Sequence, residues 1–254
     1  MPALPGKGRI MYRLSVLLIV ILTTLPVGAS SARVSKERLV SQGKDRTYYL
    51  FLRENVAPSS PAPLIVLLHG SGRNGLSLVD KWKDLAARDG IILAGPDSMD
   101  SAVWQTPGDG PAFLRDLIDS LKSKYPIDAR RVYLFGHSAG AGFALRMSLF
   151  ESEYFAATAI HAGALRPEGY DVIDYAVRKI PISVFVGTND PLFPLPLVRG
   201  TVAALNAKGF DTKLSEIRGH DHNYYVRSAE INREAWAFLK QYRLEKDPQY
   251  TPFR

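Results

Sequence analysis

Gly136-His137-Ser138-Ala139-Gly140 carries the clearest chemistry in this chain. It fits G-x-S-x-G, follows the apolar run 132–135 directly, and opens the apolar-periodic stretch 139–150. A sharp strand-to-helix turn lifts a serine hydroxyl clear of the backbone, and small flanking residues let the chain pass that closely. The turn also aims the Ala139 N–H and the positive end of a helix at a reacting oxygen. A serine of ordinary acidity still needs a base, and the base needs an acid to orient it.

In strand–turn–helix sites of this kind the acid comes next along the chain and the histidine last. The apolar run 182–186 leads into Gly187-Thr188-Asn189-Asp190-Pro191, which puts Asp190 just past a strand end. Asp-Pro also favours turns, so a structural role is compatible with the acid role. Asp174 and Asp211 follow no such run. The base has two candidates in Gly219-His220-Asp221-His222, and spacing alone leaves His220 and His222 both open. H-x-H is a metal-ligand spacing too, but no second cluster of His, Asp and Glu accompanies it and cysteine is absent. No metal and no cofactor are therefore expected. Leu67-Leu68-His69-Gly70-Ser71-Gly72 ends another apolar run. Its glycines would let the N–H of Ser71, with Gly72 as the alternative, join that of Ala139 around an oxyanion. His69 and His137 are expected to pack or hydrogen-bond beside the site, and His161 to form core or pocket wall.

These residues need strands that end along one edge. Runs 64–68, 91–94, 132–135, 156–160 and 182–186 read as strands buried on both faces. They alternate with helical stretches at 78–88, 113–125 and 139–150, with helical segments after runs 156–160 and 182–186, and with a last helix at 228–241. Run 212–217 is a final extended segment. That alternation predicts an α/β fold with a mostly parallel sheet covered by helices, and reactive groups at the carboxyl ends of its strands. Segments 38–41 and 46–53 around Gly43-Lys44-Asp45 predict an antiparallel hairpin at one edge, and 55–63 a Pro/Ser loop. The loop 98–110, with Trp104, is a candidate pocket wall.

The chain has 254 residues, enough for one such domain. Lys7, Arg9 and Arg13 precede an uncharged apolar run at 14–25, followed by small residues through Ala29 and Ala32. This layout predicts a signal peptide over residues 1–32 and a single catalytic domain over 33–254, secreted or periplasmic, with no stable membrane insertion after cleavage; an uncleaved membrane anchor is the less favoured alternative. Those three basic residues account for part of the +7 charge. The remaining excess is scattered, which argues against a nucleic-acid partner. Without cysteine, disulfides and thiol catalysis are excluded.

The chain resembles the polyhydroxybutyrate-depolymerase-like and feruloyl-esterase-like branch of the α/β-hydrolases. The resemblance is carried by Leu67-Leu68-His69-Gly70, Phe113-Leu114-Arg115-Asp116-Leu117-Ile118, Tyr125-Pro126-Ile127-Asp128, Arg130-Arg131-Val132-Tyr133 and the Ser138 pentapeptide. It resumes at Gly187-Thr188-Asn189-Asp190 and at residues 219–222. It implies an α/β-hydrolase fold and a serine esterase acting on a small-molecule or oligomeric ester through an acyl-enzyme. It also selects the base. Members often carry G-x-x-H, in which Gly219 counts forward to His222, and Asp221-His222-Asn223-Tyr224-Tyr225 is similar to a segment of S-formylglutathione hydrolases. The expected site is Ser138, Asp190 and His222, with the N–H groups of Ser71 and Ala139 as the oxyanion hole. The cysteines and the tryptophan-proline pair typical of the depolymerases are missing, which argues against polymer hydrolysis. A peptidase or amidase on the same triad, and a non-catalytic binding protein on the same scaffold, are the rival classes.

Overall fold

The computed structural model describes residues 1–3, 32–53 and 60–248. Residues 4–31 of the predicted leader and most of the Pro/Ser loop lie outside the described residues; Ala32, Ala62 and Pro63 already belong to strands. Eight strands form one sheet: β1 (Ala32–Ser41), β2 (Lys44–Arg53), β3 (Ala62–Leu68), β4 (Ile92–Pro96), β5 (Ile127–His137), β6 (Ala157–His161), β7 (Ile182–Gly187) and β8 (Thr212–Ile217). Their spatial order is β1-β2-β4-β3-β5-β6-β7-β8. Every neighbouring pair from β4 to β8 is parallel, and β1 and β2 add an antiparallel edge. The fold class is as the alternation of runs predicted. The hairpin turn is one step earlier than expected. Ser41 pairs with Lys44, so the two-residue loop is Gln42-Gly43, with φ of 52° and 73°. Two positive φ values give the primed turn that matches strand twist.

Helices α1 (Leu76–Asp89), α2 (Pro111–Lys124), α3 (Ala139–Phe150), α4 (Leu195–Ala207) and α5 (Tyr224–Leu239) cover the sheet. Strand side chains alternate between two cores. Leu64, Val66 and Leu68 of β3 join Val132 and Leu134 of β5 under α2, α3 and α4. Ile65 and Leu67 join Tyr133 and Phe135 under α1 and α5. After β6 the chain forms 3-10 turns over Pro167–Tyr175 rather than an α-helix.

The chain runs from β3 outward to β4, then crosses back to β5 on the other side of β3. Loops leaving β3 and β5 therefore diverge, and a crevice opens between their carboxyl ends. Both the His69-Gly70-Ser71 segment and Ser138 emerge there.

Candidate functional site

Ser138 stands between β5 and α3 with φ 56° and ψ −117°, a backbone state that residues bearing a Cβ rarely adopt. The turn is as tight as the pentapeptide implied. A Cβ on Gly136 would lie 2.3 Å from the Gly140 carbonyl oxygen, and one on Gly140 would lie 2.0 Å from that of Leu68. Only glycine fits either place.

The Ser138 hydroxyl is 2.8 Å from Nε2 of His222, and Nδ1 of His222 is 2.9 Å from Oδ2 of Asp190. Asp190 is buried, and its other oxygen accepts the N–H groups of Leu192 and Phe193 at 2.9 and 3.0 Å. The carboxylate is thereby fixed in rotation, with one oxygen left for the imidazole. The Phe193 ring stacks on His222, 5.7 Å between centroids and 8° from parallel. Backbone bonds stitch the two loops together. Thr188 N–H donates to the Ile217 carbonyl, Asn189 N–H to that of His220, and Gly219 N–H to the Thr188 hydroxyl. Asp221 and Asn223 then turn the chain into α5 by accepting the N–H groups of Asn223 and Tyr225.

The structure thus brings Ser138, His222 and Asp190 together and leaves His220 elsewhere. Asp174 pairs with Lys208 at the surface, 2.6 Å apart. Ser71 and Gly70 line the same cleft of about 490 Å³ as Ser138, with Arg73, Pro191, Leu192 and Tyr225 among its other walls. Gly72 does not serve as the alternative donor, because its N–H donates to the Ser101 carbonyl at 2.8 Å. The Ala139 N–H is the first of α3, where no preceding turn supplies an acceptor.

Trp104 forms the wall of a cavity other than the Ser138 cleft. It is buried, its indole N–H donates to the His69 carbonyl at 2.9 Å, and it stacks on Phe143. It lines a separate cavity of about 530 Å³ beside α3, with Arg146 and Leu165. Its loop connects β4 to α2 and reaches the site from behind, through the bonds to His69, through Ser71 Oγ–H to Ala102 O and through the Gly72 bond.

His69 accepts the Ser98 N–H at Nε2 and lies 2.9 Å from the Gly70 carbonyl through Nδ1, packing as expected. The arrangement of the other histidines escaped the sequence. His137 and His161 end neighbouring strands and pair in register, so their Nδ1 atoms meet at 3.1 Å. His161 Nε2 lies 3.2 Å from His220 Nε2. All three are buried. Burial, with the charge His222 can carry, pulls His137 down to about 3. Burial, with the neighbouring imidazoles, pulls His161 down to about 2. Burial lowers His220 as well. These rings are uncharged at neutral pH. The signal available in the sequence was a histidine at the end of two apolar runs. Among the described residues no three His, Asp or Glu side chains converge to hold a metal ion.

A bifunctional acetylxylan esterase/xylanase from Neocallimastix patriciarum is 30% identical over 163 residues, 63% of this chain but only 23% of that protein. A probable feruloyl esterase C from Aspergillus flavus is 26% identical over 192 residues, 69% of this chain and 68% of its own. The crystal structure of a thermostable esterase superposes with a TM-score of 0.66 at 24% identity, covering 84% of this chain and 63% of that one. Its likeness establishes the α/β-hydrolase fold. The sequence profile of the dienelactone hydrolase family matches residues 94–246, which contain Ser138, Asp190 and His222. With more than half of its length matched in this way, the chain belongs to the dienelactone hydrolase family.

Proposed function

We propose that the protein hydrolyses carboxylic esters with Ser138 as nucleophile, His222 as base and Asp190 as its orienting acid. One observation carries the reading: Ser138 Oγ, His222 and Asp190 are joined at 2.8 and 2.9 Å beside an open cleft. The Ser138 O–H donates to His222 Nε2, and His222 Nδ1–H donates to Asp190. As Oγ attacks the ester carbonyl, its proton passes to Nε2, and the imidazolium gains from the buried carboxylate. The carbonyl oxygen, now negative, takes the N–H groups of Ala139 and Ser71; losing one such donor raises a barrier by about 3 kcal/mol. Nε2 then protonates the departing alcohol. Water repeats the sequence on the acyl-enzyme, with His222 again holding the proton, and releases the acid.

The names of the relatives support small acyl or cinnamoyl-type esters of carbohydrates as substrates. The residue pattern of 1–32 supports an exported protein, with the single domain beginning at residue 33. No helix among the described residues is long and apolar enough to cross a membrane.

The test is a panel of nitrophenyl esters, acetyl and feruloyl among them, run on wild type, Ser138→Ala, His220→Ala and His222→Ala. Turnover should vanish with Ser138→Ala and nearly vanish with His222→Ala. Turnover lost in His220→Ala but kept in His222→Ala would overturn the assignment of the base. A matched anilide cleaved as fast as its ester would move the enzyme to the amidases.

A further inference from the structure

His137, His161 and His220 lie in file beneath the cleft, and none of them is used in the reaction just described. His137 immediately precedes Ser138. The carbonyl of His161 accepts the Ser138 N–H at 3.0 Å. The carbonyl of His220 accepts the N–H of Asn189, the neighbour of Asp190, and His220 stands two residues before His222. Each member of the file is thus bonded, covalently or through the backbone, to a segment that carries a reacting residue or its orienting acid. Resting on the Ser138 reading above, we propose that His161, linked to His137 and His220, is a positioning residue. The imidazole file would set the spacing of the backbone segments that hold Ser138, Asp190 and His222.

A neutral imidazole has one N–H and one bare nitrogen. His161 is bonded at both nitrogens, so it donates through one and accepts through the other. The file therefore has a single direction. Asp221 Oδ1, 4.0 Å from His220 Nδ1, favours a proton on that nitrogen. Protons then run from His137 to His161 and from His161 to His220. No ring can rotate without breaking this sequence, so the file acts as a rigid strut between β5, β6 and the loop after β8. Aromatic neighbours hold it laterally. Tyr224, fully buried, stacks on His137 at 5.3 Å and lies 5.7 Å from the His161 ring.

Absence of charge matters as much as rigidity. The His137 and His222 rings are 5.1 Å apart. His222 becomes positive each time Ser138 attacks, and a second positive ring at that distance would oppose it. A strut made of lysine or arginine could brace the same segments but would hinder the reaction.

Substitutions at 161 separate bracing from simple filling of space. Leucine keeps comparable bulk and removes both nitrogens. The asparagine amide reaches the position of Nδ1 and retains the link to His137. The glutamine amide reaches the position of Nε2 and retains the link to His220. Kinetics with nitrophenyl acetate should show kcat of His161→Leu down roughly ten- to hundred-fold, the scale of a small misplacement of reacting groups, with KM changed less than about threefold. His161→Asn and His161→Gln should each recover part of kcat. A kcat in His161→Leu within about twofold of wild type would overturn the proposal. So would Asn and Gln variants no more active than Leu. If the leucine variant does not fold, the other two decide the matter, since each breaks one link and wild-type kcat in both would end the proposal. Ser138→Ala is run beside them. Turnover surviving there removes the Ser138 reading itself, whereas a dead Ser138→Ala beside a fully active His161→Leu removes the file alone.

Discussion

Arg46 and Asp109 are buried as a charged pair, 2.6 Å apart with 5% and 1% of their side chains exposed, whereas the histidines beneath Ser138 are buried without charge. Both members of the ion pair have further partners. Arg46 also donates to the carbonyls of Gly108 and Asp97, and its guanidinium lies 3.4 Å from the centre of the Phe113 ring. Asp109 also accepts the N–H groups of Met99 and Gln105. These bonds tie β2 to the 98–110 loop and α2, and nothing in that knot has to change during a reaction. At the other cluster, under the proposed mechanism, a charge appears on His222 and disappears again in every cycle. Permanent charge suits a fastening; neutral hydrogen bonds suit a place where charge is transient.

The contrast can be broken from either end. The largest effect is expected from Ser138→Ala, with kcat reduced by about 10⁶ as for other serine hydrolases stripped of the nucleophile, and with the thermal unfolding midpoint retained or nearly so. Asp190→Asn should follow at about 10⁴ in kcat, because an amide leaves the His222 imidazole in the wrong tautomer; a loss below tenfold would remove Asp190 from its role. At the ion pair the effect should fall on stability instead. Asp109→Ala leaves a buried guanidinium without its partner and should cost about 3–5 kcal/mol in urea unfolding, while Arg46→Met combined with Asp109→Leu should restore much of it.

The smallest effect concerns pH. His137 and His161 titrate near 3 and 2 in the folded chain, below the ordinary 6.5 that they regain on unfolding. Below 6.5 the unfolded chain binds protons that the folded chain refuses. Their contribution is therefore complete above about 6.5 and is lost as pH falls towards 3, on the order of 2 kcal/mol per ring between pH 7 and 5. The surrounding charges do not reverse that sign. His222 and Arg73 oppose a charge on His137 and Asp190 favours one, while His161 faces His137, His220 and His222. Around His220, Asp221, Asp190 and Glu230 favour protonation and Arg227 opposes it. Urea melts at pH 7 and 5 should show this slope, and His161→Gln should flatten it; equal slopes in the two proteins would count against a neutral file.

The sheet was legible because strands buried on both faces leave unbroken apolar runs, as in residues 64–68 and 132–135. The places of Ser138 and Asp190 were legible because each directly follows such a run. Choosing His222 over His220 took the family resemblance through G-x-x-H, because spacing alone leaves both open: two residues in one turn differ only in which way the backbone faces. The Gln42-Gly43 turn was hidden because glutamine is an unusual residue at positive φ. Which cavity Trp104 lines was hidden because its partners, the His69 carbonyl and Phe143, are far away in sequence. The imidazole file was invisible for the same reason: it requires the register of β5 on β6.

The backbone at Ser138 has a consequence for handling the molecule. A positive φ of 56° is held against a penalty of about 1–3 kcal/mol for a residue with a Cβ. Glycine escapes that penalty and gives back about 0.5–1 kcal/mol through greater freedom when unfolded. A Ser138→Gly protein should thus be inert yet melt higher than Ser138→Ala. Here the scaffold relaxes when its reactive atom is deleted, and the glycine form becomes the sturdier vessel for capturing an uncut ester.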